Sequence, residues 1–158
     1  MDDVLFHHGC HLVDFSLWTV DSDVRRVRGE LAPRHPVNDT SMDISMLIRY
    51  ANEAIATTSL SYNARQAATG NIYLCENSVL EVSGSSVVFN GENVFEATAK
   101  PESGVLVQNR DFIEAIRNDR QPTCNADEAL KSMTVLQQVY DQMVTMEGVE
   151  KYRRRWDE

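Results

Sequence analysis

Met42-Asp43-Ile44-Ser45-Met46-Leu47-Ile48-Arg49-Tyr50 is the stretch on which the fold turns. Met42, Ile44, Met46, Ile48 and Tyr50 alternate with Asp43, Ser45 and Arg49, and in an extended chain side chains two apart share a face. A period of two predicts a strand with one buried side. Ala51-Asn52-Glu53 reads as a turn, and residues 54–63 as a second strand rich in Thr and Ser, with Ala56, Leu60 and Tyr62 on one side. The two are expected to pair as a hairpin. Upstream, residues 23–31 read as an exposed strand, Val24 and Val27 standing among arginines and a glutamate. Pro33, Pro36 and Asn38-Asp39 make the intervening piece a loop, because proline removes a donor and fixes φ.

Downstream, residues 71–76, 79–83 and 86–89 read as strands. Asn90-Gly91 suits a type I′ turn, which needs positive φ at both central residues, and 94–97 returns as a short strand. After a loop at 100–104, Asn109 is placed as the cap of a helix carrying Phe112, Ile113 and Ile116 and ending near Asn118. Asn125 caps a second helix, with Glu128 three residues on. Leu130, Met133, Leu136, Val139 or Tyr140, and Met143 then mark its apolar stripe, read as core. Gly148 ends or kinks it before a basic tail. At the other end, residues 8–20 read as a helix, with Leu12 and Phe15, and Cys10, Val13 or Trp18, as its buried stripe. Asp21-Ser22-Asp23 breaks it. A helix, five to seven strands and two helices make an α+β chain with a mainly antiparallel sheet and helices packed on one face. A length of 158 residues suits one domain, spanning 1–158.

Composition narrows the function. A net charge of −9 argues against nucleic acid and against an acidic membrane surface. The one cluster of cations, Lys151 with Arg153, Arg154 and Arg155, reads as a solvated helix end favoured by the helix dipole. Cys10, Cys75 and Cys124 are odd in number and far apart. They form neither a disulfide framework nor a zinc signature, which points to a reducing, cytoplasmic setting. No leader or bilayer-length apolar run is expected.

The chemistry-bearing residues crowd the N-terminal helix: His7, His8, Cys10, His11 and Asp14. One helical turn separates His7 from His11 and three residues separate His11 from Asp14, so all three share a face. An Asp beside an imidazole can fix its tautomer and raise its basicity, as for a general acid or base. The plainer reading is a set of surface or satisfied core histidines. Two helical histidines at i, i+4 also make a bidentate metal unit, but a full ligand set would need His35 or an acid from elsewhere, so no metal is assigned. Neither a GxGxxG, a GxxxxGK[ST] nor a GxSxG motif occurs.

In this context Gly9-Cys10-His11-Leu12-Val13-Asp14 resembles the GxHxxD-like helix that opens the C-terminal domain of Gfo/Idh/MocA-type NAD(P)-dependent oxidoreductases. The likeness continues through Thr57-Thr58-Ser59-Leu60-Ser61-Tyr62-Asn63, Ile72-Tyr73-Leu74-Cys75-Glu76, the segment 110–118, Gln121-Pro122 and the capped last helix. His7-His8 ahead of His11 looks most like the branch that contains 4-carboxy-2-hydroxymuconate-6-semialdehyde dehydrogenase, an enzyme of aromatic-acid breakdown. The resemblance implies an open sheet of about six strands whose free face makes a homo-oligomer and whose helical side meets a separate nucleotide domain. It implies an acid or base at His11. Many members carry Asp one turn earlier, where this chain has His7. The family's nucleotide domain, with its glycine-rich turn and catalytic lysine, has no counterpart here, so NAD or NADP is implied by the family but not expected to bind this chain alone.

The leading expectation is therefore the substrate-side and oligomerisation half of a dehydrogenase. Its small-molecule substrate would be a carboxylated semialdehyde or hemiacetal from aromatic-acid degradation, or a related polyol or hydroxy compound. His11 and Asp14 are its catalytic candidates. His7, His8, Ser59, Ser61, Asn63 and Arg65 are its substrate-binding candidates, the last because a guanidinium fork suits a carboxylate. The alternatives are a non-catalytic binding or assembly module and a small metal-dependent enzyme built on His7 and His11.

Overall fold

The structure, a computed structural model, describes residues 4–37, 39–66, 68–98 and 102–147. Its elements are α1 (Val4–His7), α2 (Gly9–Val20), β1 (Val24–Leu31), β2 (Asp43–Tyr50), β3 (Ile55–Ser61), β4 (Asn71–Leu74), β5 (Val79–Ser83), β6 (Ser86–Phe89), β7 (Glu92–Glu96), α3 (Gly104–Arg117) and α4 (Ala126–Glu147). The class is α+β, antiparallel and open as expected, though with seven described strands divided between two sheets in place of one sheet of about six. The strands form two such sheets, β1-β2-β3 and β4-β5-β6-β7. The chain divides into two compact units, residues 1–64 with 124–158, and residues 65–123. Gly148 and the basic run at 151–155 lie outside the described residues.

In the first unit β2 is the middle strand and behaves as its alternation dictates. Ile44, Met46, Ile48 and Tyr50 are buried, while Ser45 and Leu47 face outward. The β2–β3 register sets Ile44 opposite Leu60, Met46 opposite Thr58 and Ile48 opposite Ala56, so the even-numbered residues of β3 share the buried side. The core closes over that side with Val4 and Leu5 from α1, Val13 from α2, Val27 and Leu31 from β1, and Val135, Leu136, Val139 and Met143 from α4. Each such side chain contributes about 1.5–3 kcal/mol on full burial.

Two stripes differ from the expectation. On α2 the buried residues are Gly9, Val13 and Ser16, whereas Phe15 and Trp18 are exposed and Leu12 is half-buried. On α4 the stripe is Ser132, Val135, Leu136, Val139 and Met143, and Leu130 and Met133 face out. Helical spacing allows both stripes; close packing selects between them. β1 offers α4 a glycine: a Cβ at Gly29 would stand 2.5 Å from Cγ1 of Val139. That contact fixes which face α4 turns to the sheet.

The second unit holds the β4–β7 meander. Asn90 and Gly91 have φ of 51° and 85°, as a type I′ turn demands, and β7 begins at Glu92, earlier than the expected 94. Helix α3 is a correction. It starts at Gly104 after Ser103, whose carbonyl accepts from the N–H groups of Leu106 and Val107. Asn109 therefore lies inside the helix and caps nothing. The run Val105-Leu106-Val107 carries the helical backbone past the proposed start. Phe112, Ile113 and Ile116 are exposed, and Ala115 is buried. Asp111 ties α3 to the segment that follows it, accepting from Arg120 at 2.6 Å and from the Thr123 N–H at 2.7 Å. Asn125 does cap α4: its side-chain oxygen accepts from the Glu128 N–H at 3.0 Å.

Gly29→Val should destabilise the first unit by about 1–3 kcal/mol through overpacking, and Val139→Ala in the same chain should return part of the loss. Urea titrations of the native chain and the two variants test this; equal midpoints for the Gly29→Val variant and the native chain would refute the close approach. The Thr123 N–H and Arg120 hold the Asp111 carboxyl below its ordinary value. The stability it contributes is therefore present above about pH 4 and is lost as pH falls through the depressed value. The stability gap between the native chain and Asp111→Asn should narrow on going from about pH 7 to about pH 3; a constant gap contradicts the clamp.

Candidate functional site

The imidazoles stand where α1 passes into α2, and two hydrogen bonds fix α2 over the sheet. The Ser16 hydroxyl and the Tyr50 phenol share a buried hydrogen bond of 2.6 Å. Two residues earlier on α2, Asp14 accepts from Ser132 of α4 at 3.0 Å. Burial pushes the Tyr50 phenol up, and the bond to Ser16 offsets part of that rise. Between these anchors and α1, the N-terminal end of α2 lies close to the end of β3.

There His7, His8 and His11 meet. The His7 and His8 rings stack at 4.5 Å, and His11 presents an edge to His8 at 6.0 Å. All three are exposed. His8 Nδ1 is hydrogen-bonded to the phenol of Tyr62, whose ring stands edge-on to it at 5.3 Å and 87°. Cys10, half-buried beneath them, donates its thiol to the His7 carbonyl at 3.3 Å, and burial raises the thiol's pKa.

The geometry sorts the candidates. His7, His8 and His11 are brought together. Asp14 keeps its place on the helix but spends an oxygen on Ser132, and among the described residues no hydrogen bond joins it to His11. Ser59, Ser61 and Asn63 lie on the sheet face opposite the imidazoles, because β3 alternates and its odd-numbered residues point away from the helices. There Ser59 bonds Ser45 at 2.9 Å, Ser61 donates to Asp43, and Asn63 donates to Asp43 at 2.8 Å. The structure does not bring these three together with the histidines. Arg65 opens the second unit, exposed and without an ion pair among the described residues. His35 sits in the β1–β2 loop, its Nδ1 accepting from the Val37 N–H at 3.2 Å. Among the described residues no group of three His, Cys, Asp or Glu side chains is placed to hold a metal ion, and no helix is long and apolar enough to cross a membrane. Tyr62 and Ser132 are the contributors missed. Tyr62 was within reach, since its parity with Leu60 already put it on the helix side.

The family model for the C-terminal domain of bacterial oxidoreductases matches residues 1–94. The chain belongs to that family. It is 30% identical over 139 residues to the 4-carboxy-2-hydroxymuconate-6-semialdehyde dehydrogenase of Sphingobium sp. (strain NBRC 103272 / SYK-6), covering 85% of this chain and 44% of that protein. The chain thus spans less than half the length of this curated relative. Among solved structures it resembles UDP-N-acetylglucosamine 3-dehydrogenase GnnA from Acidithiobacillus ferrooxidans, with a TM-score of 0.76 at 18% identity over 93% of this chain and 48% of that one. It also resembles the WlbA dehydrogenase from Bordetella pertussis, solved with NADH and UDP-GlcNAcA, with a TM-score of 0.61 at 16% identity over 88% and 42%. At these identities the likeness establishes a shared fold with Gfo/Idh/MocA-type oxidoreductases.

A raised Tyr50 pKa has a definite sign. The stability tied to its neutral phenol is present below about pH 10 and is lost as pH rises through the elevated folded value. Tyr50→Phe should cost about 1 kcal/mol at neutral pH by removing the partner of Ser16, and should flatten the alkaline fall in melting temperature. An alkaline limb unchanged by the substitution would refute this role for Tyr50.

Proposed function

We propose that this chain is the substrate-side half of an NAD(P)-dependent dehydrogenase acting on a small carboxylated semialdehyde, hemiacetal or related hydroxy compound. The observation that carries the reading is the group of exposed imidazoles at the start of α2 in a chain of this family. Among the described residues no hydrogen bond takes up the ring nitrogens of His11, which exchanges a proton with a substrate hydroxyl or aldehyde oxygen. Asp14 adds negative charge on the same helical face while anchoring α2 to α4. His7 and His8 bind substrate. The substrate class rests on the semialdehyde dehydrogenase relative.

A dinucleotide does not fit these residues. Among those described, every paired strand is antiparallel, and Gly84 and Gly91 serve hairpin turns, so no strand, glycine-rich turn and helix follow one another to hold a pyrophosphate. A nucleotide-binding domain must come from elsewhere.

An outward face suited to self-association supports an assembly role alongside. Leu47 and Ile55 are exposed on the β1-β2-β3 sheet, with Arg26 and Arg28 towards one end and Glu30 and Asp43 towards the other. A two-fold axis through the middle would set cations against anions. Light scattering should show an oligomer at micromolar concentration that Leu47→Asp dissociates; a monomeric native chain overturns the assembly role.

Added NADH should leave the melting temperature of the chain unchanged, and its own fluorescence should not respond; a clear response sinks the half-enzyme reading. In the dehydrogenase completed by a nucleotide-binding domain, His11→Ala should lower kcat by about 100-fold or more. Retention of full activity by that variant removes His11 from the chemistry.

A further inference from the structure

We infer that Tyr62 is a positioning residue that fixes the tautomer of His8, making His8 Nε2 a hydrogen-bond donor to an oxygen of the substrate. The role given to Nε2 rests on the reading above; the tautomer itself does not.

Three observations converge on this pair. His8 occupies the N-cap position of α2, where Ser, Thr, Asp or Asn normally supply an oxygen to a free backbone N–H. Here no side-chain cap bond forms. The imidazole is instead turned to the end of β3, with Nδ1 bonded to the Tyr62 phenol. A helix start that forgoes its usual cap for a bond to a distant strand places a local rule below a positional requirement, as happens at functional sites.

Second, His8 is the centre of the imidazole group, stacked on His7 and touched by the edge of His11. Its plane is constrained on three sides, whereas among the described residues the His11 ring meets only that of His8. Third, parity ties Tyr62 to the site. It continues the even-numbered side of β3, the side the helices cover, and its backbone N–H donates to the Met42 carbonyl at 2.8 Å. The phenol is thereby mounted on the sheet and not on a loose loop.

The chemistry follows from the partners. A phenol is a better donor than acceptor, so its O–H donates a hydrogen bond to Nδ1 and the neutral ring carries its one proton on Nε2. Nε2–H then points an N–H at an acceptor, which fits the carboxylate or carbonyl oxygen of a semialdehyde acid. It does not fit a base that removes a proton, and that task is left to His11. Two neighbouring imidazoles would thus divide the work between binding and proton exchange.

The experiment is nitrogen-15 NMR of the histidine rings in the 158-residue chain, native and Tyr62→Phe, at a pH where the imidazoles are neutral. The native His8 should be almost entirely the Nε2–H tautomer, and Tyr62→Phe should bring it to a mixture. Methyl resonances of Ile48 and Leu136 serve as the check that the core is intact in the variant. A native His8 protonated on Nδ1, or the same tautomer populations in both chains, overturns the inference. If Tyr62→Phe fails to fold, the native spectrum alone decides. Because no cofactor or substrate is present, an inactive completed enzyme with His8 still in the Nε2–H form would count against the dehydrogenase reading and leave the tautomer standing.

Discussion

The contact between Val139 and Gly29 governs the first unit. An α-helix and a strand approach closely only where one of them lacks a side chain, and β1 supplies that gap. Once Val139 is seated, helical geometry places Ser132, Val135, Leu136 and Met143 towards the sheet. Ser132 is then positioned to reach Asp14, and α2 takes its place against α4. Gln142, on the same helix, donates to the Val27 carbonyl at 3.0 Å and so satisfies an acceptor of the edge strand β1.

From there the site is a consequence of anchoring α2 at its middle. Ser16 bonds Tyr50 inside the core, where few other partners exist, and Asp14 bonds Ser132 at its margin. The N-terminal turn is packed as well, with Gly9 against Leu136. The imidazoles are exposed for the same reason that Val13 is buried: they lie off the helix face that Gly9 and Val13 turn to the core.

Much of this architecture is legible from residue order. The alternation in β2 identifies its buried face, Asn90-Gly91 locates a hairpin turn, and Asn125 with Glu128 marks the start of α4. These signals are local and each has one physical solution. The stripe of α4 is not local. Leu130 and Met133 fit helical spacing as well as Val135 does, and the choice depends on a glycine about a hundred residues away in sequence. The start of α3 was misplaced because Asn109 suits a cap, while Val105, Leu106 and Val107 give no sign of whether they lie in a loop or a first turn. The exposed Phe112, Ile113 and Ile116 show the same weakness: an apolar face declares that it can be buried, not by what.

The candidate site was half legible for a related reason. Histidines clustered on one helix are visible from spacing alone, and so is the parity of Leu60 and Tyr62. What spacing cannot supply is the partner across the fold. Asp14 stands at the right offset from His11 to orient it, yet its oxygen goes to Ser132, 118 residues on. His8 holds a position that sequence rules give to a cap, yet its nitrogen goes to Tyr62, 54 residues on. In both cases the helix fixes which side chains are neighbours, and the tertiary contact decides which neighbour matters. Ser59, Ser61 and Asn63 make the converse point. They are adjacent to Tyr62 in sequence but separated from the imidazoles by the thickness of the sheet, since a strand sends successive side chains to opposite faces. The strand residue that the imidazoles meet is therefore Tyr62, from the even-numbered side, and not Ser61 or Asn63 on either side of it.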